Sequence, residues 1–252
     1  MRHKRYNKLR LFILALCLLQ VLITGACQSY LANYSAAQKH FNTASQLQNS
    51  SVFQPGPDKA AKDAVIVSSQ IHANYGLALK LITEIIKDHE SELKKDRMLG
   101  NAYTIKALSE WQLGDTDAAV ATKSAAMIQN DQLFPRDKAL LIALPGFIKA
   151  EQAYEKLTGK QDYQTIKDLI LGNRERKLTG AVGDIRNALA TLDMEHPIRI
   201  YFILTQLAAI RTLQSSAKLI KRDNPENYVR KDELKMIKEK YIENLILNYQ
   251  NL

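Results

Sequence analysis

Few residues in this sequence have both the type and the setting for chemistry. The clearest is Cys27. It follows Gly25 and Ala26 in "LLQVLITGACQSYLANYS", where an apolar run gives way to polar residues. Its thiol can carry a lipid, and the small residues before it let a peptidase accept extended backbone in a narrow cleft. The five histidines are His3, His40, His72, His89 and His196, and none forms an H-E-x-x-H or His-x3-His array. His89 and Glu90 are adjacent rather than helically spaced and read as a solvated helix end. Neither a G-x-S-x-G elbow nor a P-loop occurs. "TGKQDY" lacks the upstream glycine and the following Ser or Thr, so it reads as a turn. Asp115 and Asp117 are explained by capping and the helix dipole. The sequence therefore predicts no catalytic set, metal site or cofactor. Glycan-cleaving enzymes need only two carboxylates, so a periplasmic cell-wall-acting enzyme stays open as the alternative.

The elements that position Cys27 come before it. Arg2, Lys4, Arg5, Lys8 and Arg10 precede Leu11 to Ile23, which is apolar except for Gln20. A basic n-region, a short apolar h-region and small residues at a cleavage point mark a secretory signal. The apolar run is short of the roughly 20 residues that a membrane span needs. The stretch resembles the signal of bacterial lipoproteins, with Gly25, Ala26 and Cys27 in the last three places and Thr24 where that family has Leu. The resemblance implies cleavage before Cys27 and acylation of the new N-terminus. It also implies sorting to the outer membrane of a Gram-negative cell, since Gln28 is not the Asp that retains such proteins in the inner membrane. The competing reading is an uncleaved signal anchor with Cys27 as a small hydrophobe.

The signal distorts the charge. The chain holds 35 basic and 26 acidic residues, net +9. Residues 1–26 hold five of the basics and no acids, leaving 30 and 26, or +4. That mild excess, with no basic run interleaved with aromatics, argues against a nucleic-acid partner. Cys17 leaves with the signal, so Cys27 is the last cysteine and no disulfide can form within the chain. Gly (10) and Pro (6) are scarce, whereas Ala, Leu, Ile, Lys and Gln abound, which is a helical composition.

Helical spacing runs nearly throughout, with no alternating strand pattern, and predicts an all-α chain of about eight to ten helices. The organisation reads as a signal at 1–26, then a lipidated N-terminus with a first helix and a Pro/Gly linker at 27–57, then a helical domain at 58–252. Pro55, Gly56 and Pro57 force the first break. A heptad-like series runs through Ser68, Ile71, Tyr75, Ala78, Ile82, Ile85 and His89, as one helix or as two parted near Asn74 to Gly76. Gly114 can end one helix and Asp115 or Thr116 can cap the next. Pro145 is expected to kink its helix, and Pro225 suits the first turn of a last one.

Small residues recur at fixed offsets. Ala37, Phe41 and Ala44 are followed by Ala78, Ile82 and Ile85, by Ala119, Lys123 and Ala126, and by Ala181, Ile185 and Ala188. The first three sets are 41 residues apart. Two helices approach closely only where a face lacks bulk, which is what such positions supply. The pattern A-x3-F-x2-A resembles the second helix of tetratricopeptide repeats, and "ALSEWQLGDTDAAVATKSAA" is the best single unit, with Ala107, Gly114, Ala119 and Ala126 in register. The spacing exceeds the about 34 residues of that family, and Lys123 replaces the aromatic. The resemblance therefore implies an irregular TPR-like solenoid of helical hairpins, against the alternative of a non-repeating helical lipoprotein. It further implies that first helices line a concave groove, here with Asn101, Thr104, Leu108, Trp111 and Gln112. Trp111 can equally pack between helices. The expectation is a scaffold facing the periplasm, held to membrane lipid through acylated Cys27, that binds another protein in an envelope assembly or secretion complex.

Overall fold

The computed structural model describes residues 30–48, 60–158, 163–223, 235–243 and 246–247. The signal, Cys27, the linker at Pro55–Pro57 and Pro225 lie outside the described residues. The fold is all-α. A two-residue ladder is the one strand pairing among the described residues. The chain divides into two compact units, Met1–Gly114 and Asp115–Leu252.

The first unit is built from α1 (residues 30–48), α2 (Ala60–Asp88), α3 (Glu90–Lys95) and α4 (Leu99–Gln112). Tyr30, Tyr34, Ala37 and Ala44 recur every turn or two along α1, and all are buried. Tyr75, Ala78, Ile82 and Ile85 do the same on α2. The two faces mate in opposite directions. Tyr30 at the start of α1 stacks on His89 just past the end of α2, with ring centroids 5.4 Å apart. Phe41 meets Tyr75 edge-on at 5.6 Å. Leu93, Leu99, Ala102 and Ile105 of α3 and α4 complete this core. Burying Ile82 or Leu93 in this way contributes about 1.5–3 kcal/mol each. Residues 30–48, read from the sequence as a first helix, are part of the first unit's core.

Helix α2 runs unbroken through Asn74 to Gly76. Asn74 does not cap a break. Its Nδ2 donates back to the Gln70 carbonyl at 2.9 Å and its Oδ1 lies 2.9 Å from His40 Nδ1. The chain breaks at His89 instead, and that residue is half-buried against Tyr30 rather than solvated. Gly114 follows α4 with φ +88°, and its N–H donates to the Trp111 carbonyl.

The second unit comprises α5 (Thr116–Ile128), a 3-10 turn (Asn130–Gln132), α6 (Pro135–Thr158), α7 (Tyr163–Leu171), α8 (Ala181–Leu189), α9 (Ile198–Asp223) and a π-helical segment (Ile237–Glu243). Asp115 caps α5 by accepting from the Ala118 N–H at 3.1 Å. Helix α6 is the centre of the unit and packs against α5, α7, α8 and α9. It continues through Pro145 as one helix. One residue later, Gly146 lets α8 approach: a Cβ there would stand 2.9 Å from the Ala181 carbonyl oxygen and 3.0 Å from Asp184 Cβ. Ala153, Ile166, Ile170, Val182, Ile203, Ile210 and Leu213 form the core among these helices.

Between α7 and α8 lies a hairpin that the sequence reading missed. Strand β1 (Gly172–Asn173) pairs antiparallel with β2 (Leu178–Thr179). Gly172 has φ +85°, and its Cβ position is occupied by the backbone of Leu178 and Gly180. Asn173 Oδ1 accepts from the Arg176 N–H at 3.1 Å and shapes the turn. The alanines at the repeat positions share one fate in both units: Ala37, Ala44, Ala78, Ala107, Ala119, Ala126, Ala181 and Ala188 are each fully buried.

Candidate functional site

The five residues expected to line a groove belong to α4. Asn101, Thr104 and Leu108 are buried, at 5%, 2% and 5% exposure. That corrects their place in an open groove wall. The physical reason is that α4 is covered on nearly all sides, with ten of its fourteen residues buried. Thr104 needs no outside partner, since its hydroxyl donates to the Gly100 carbonyl at 3.0 Å. Trp111 and Gln112 remain half-exposed at the end of the helix.

A polar chain surrounds that end. Gln48 Nε2 donates to Gln112 Oε1 at 2.9 Å, and Tyr75 donates to Gln48 Oε1 at 2.9 Å. Ser45 and Tyr75 share a hydrogen bond of 3.2 Å. Burial pushes the Tyr75 phenol above its ordinary value, with the Ser45 contact opposing. Tyr75 therefore stays a neutral donor. The result is a buried tyrosine and two amides bonded to one another, which fixes the end of α4 that carries Gln112 against α1 and α2. Trp111→Ala is expected to weaken capture of a protein partner by about 2 kcal/mol or more, with helix content retained. A tryptophan serving only the core would instead cost about 3–5 kcal/mol of stability. A melting curve beside a pull-down separates the two, and a stable variant that still captures its partner removes Trp111 from the face.

Helix α4 also buries charge. Glu110 is 5% exposed and pairs with Lys106 one turn back. Its other carboxylate oxygen and the Ser109 hydroxyl have no hydrogen-bond partner. Such unsatisfied groups each cost about 1–3 kcal/mol.

A second constellation joins three helices of the second unit, and the sequence reading missed it. Lys149 Nζ of α6 donates to Asp184 Oδ2 of α8 at 2.6 Å and to the Thr179 carbonyl at 2.7 Å. Nothing in the sequence pairs residues 35 apart. The clasp ties the hairpin and the first turn of α8 to α6. Lys123 of α5 sits nearby, half-buried. Desolvation lowers its pKa first of all; Asp184 opposes this and Lys149 adds to it. Lys123 occupies the repeat position where an aromatic was expected, so an ammonium stands in a site shaped for apolar packing.

The sign follows directly. Below its lowered folded value, Lys123 is charged in both states and the desolvation cost is fully present. As pH rises through that value towards the ordinary lysine range, the folded lysine goes neutral and the cost fades. Lys123→Met is therefore expected to raise the melting temperature at neutral pH, by less as pH rises into the lysine range. Equal melting temperatures at neutral pH would refute this.

Among the described residues, no group of three or more His, Cys, Asp or Glu side chains is placed to hold a metal ion. No described helix is long and apolar enough to cross a membrane. No family model matches the chain, and no curated protein and no solved structure matches it.

Proposed function

We propose that the chain is a lipid-anchored, periplasm-facing protein of the outer membrane that binds another protein through its helical body. The observation that carries this reading is the N-terminal order of basic residues, an apolar run, and then Gly25, Ala26 and Cys27. The small-residue positions support helical hairpins stacked as an irregular TPR-like solenoid, because each is buried where a larger side chain would hold helices apart. The half-exposed Trp111 and Gln112 form the part of the expected groove that can meet a partner.

The test uses the intact chain expressed with its signal. Membranes are separated by density, and the protein is purified after crosslinking in cells. The expected result is sedimentation with the outer membrane and recovery of a discrete crosslinked protein that Trp111→Ala loses. Inner-membrane sedimentation refutes the sorting, and a chain that crosslinks to nothing refutes the scaffold role.

A further inference from the structure

We infer that the end of the first unit carrying Tyr30 and α3 lies against the phosphate headgroups of the leaflet that holds the Cys27 acyl chains. This rests on the acylation of Cys27 proposed above.

The first argument is reach. Tyr30 opens α1 and is only 4% exposed. Its ring stacks on His89, with 29° between planes, and its hydroxyl donates to the Asp96 carboxylate. Tyr34, one turn later, is also buried. The chain is thus fixed into the core from residue 30 onward. Cys27 stands three residues before it. Three peptide steps span at most about 11 Å. The headgroup layer on each side of a bilayer is itself roughly 5–8 Å thick. An acylated Cys27 in that layer therefore holds the Tyr30 end at most a few ångströms beyond it.

The second argument is charge. Lys94 and Lys95 in the last turn of α3, and Arg97 just after it, are exposed. The acids at the same end are Asp88, Glu90, Glu92 and Asp96, with the acids of α3 in its first turn and its lysines in its last. Asp96 receives the Tyr30 hydroxyl. Glu92 accepts from Ser91 at 2.8 Å and lies 3.9 Å from His89. The acids keep their charge, but the two lysine ammoniums gather in the last turn of α3, next to the Asp96 that Tyr30 holds, on stems that can reach a surface. An anionic leaflet attracts such side chains over a Debye length. Leu31, 45% exposed beside Tyr30, adds an apolar side chain at the same end. The other end of α1, at Ser45 and Gln48, points away along the helix.

The test is made on the acylated full-length protein in vesicles of phosphatidylethanolamine and phosphatidylglycerol carrying a headgroup nitroxide. With Cys27 acylated and Cys17 removed with the signal, an introduced cysteine is the one free thiol. A fluorophore is placed at Ser91→Cys on α3 or at Gln46→Cys, both exposed. Gln46 stands about 24 Å along α1 from Tyr30. The expected result is strong quenching at position 91 and near-background quenching at 46. Lys94→Glu with Lys95→Glu, or raised salt on the unmutated helix, should remove most of the quenching at 91. Equal quenching at 91 and 46 in acylated, vesicle-bound protein overturns the orientation alone. Quenching at 91 that ignores both charge reversal and salt overturns the headgroup contact. A chain that carries no acyl group and leaves the vesicles overturns the anchor and the orientation together.

Discussion

Cys27→Ala is expected to abolish palmitate incorporation and to leave residues 1–26 attached. The thiol is the strongest nucleophile in "LITGAC", and in the lipoprotein order of events acylation precedes cleavage. The energetic consequence is large. Each buried methylene contributes about 0.8 kcal/mol, and a single chain holds only reversibly whereas two or more hold stably. Metabolic labelling with a clickable palmitate should mark the wild type and miss the variant. Intact mass should show a wild-type chain shortened by its first 26 residues and heavier by its acyl groups. Equal labelling of both proteins would end the lipoprotein reading and leave an uncleaved signal anchor in its place.

Gly146→Leu is expected to cause a large loss of stability in the second unit by forcing α6 and α8 apart. The Cβ alone would press on the Ala181 carbonyl, on Asp184 Cβ and on Ile185 Cγ1, all at 2.9–3.0 Å. The first of these is backbone in the opening turn of α8 and cannot rotate away. Helix α8 must shift, and the Lys149 clasp to Asp184 and Thr179 lies one turn further along α6. Overpacking of this kind costs about 1–3 kcal/mol and occasionally more. A loss near 3 kcal/mol lowers Tm by roughly 6–12 °C for a unit of this size. Gly146→Ala should also destabilise, although alanine is the better helix former by about 1 kcal/mol. Gly76 is the internal control. A Cβ there meets nothing within 4 Å. Gly76→Ala should therefore stabilise by about 0.5–1 kcal/mol. Thermal melts of the three variants decide the matter, and a Gly146→Ala protein more stable than wild type would show that α8 yields.

How far the sequence could be read depended on whether the cause was local. The helical faces were local: Tyr75, Ala78, Ile82 and Ile85 are spaced for one stripe, and that stripe is buried. The cap at Asp115 and the positive φ of Gly114 were local as well. Continuity of α2 past Gly76 was not. It is supported by α1 alongside, where His40 bonds Asn74 and Ser45 bonds Tyr75. The hairpin escaped notice because two-residue strands show no alternation; the pair Gly172 and Gly180, whose backbones nearly touch, was its one sign. On α4, Asn101 and Thr104 fall on the groove face that the repeat resemblance implies, yet both are buried. Polarity alone does not reveal that a hydroxyl is already spent on the carbonyl one turn back. The Lys149–Asp184 clasp depends on how α6 and α8 cross, which no spacing encodes.

The docking of Tyr30 at the head of α1 also has a mechanical consequence. If the acyl chains fix residue 27 and a partner pulls from the far end at Trp111 and Gln112, the load enters α1 at its first residue, which His89 and Asp96 hold. Helices α1 and α2 run in opposite directions, as the pairs Tyr30 with His89 and Phe41 with Tyr75 require. Tension would then act along the helix axes. The buried contacts of Tyr34, Ala37 and Ala44 would be loaded in parallel, in shear, rather than peeled apart one after another. A bundle tethered in that way behaves as a stiff post.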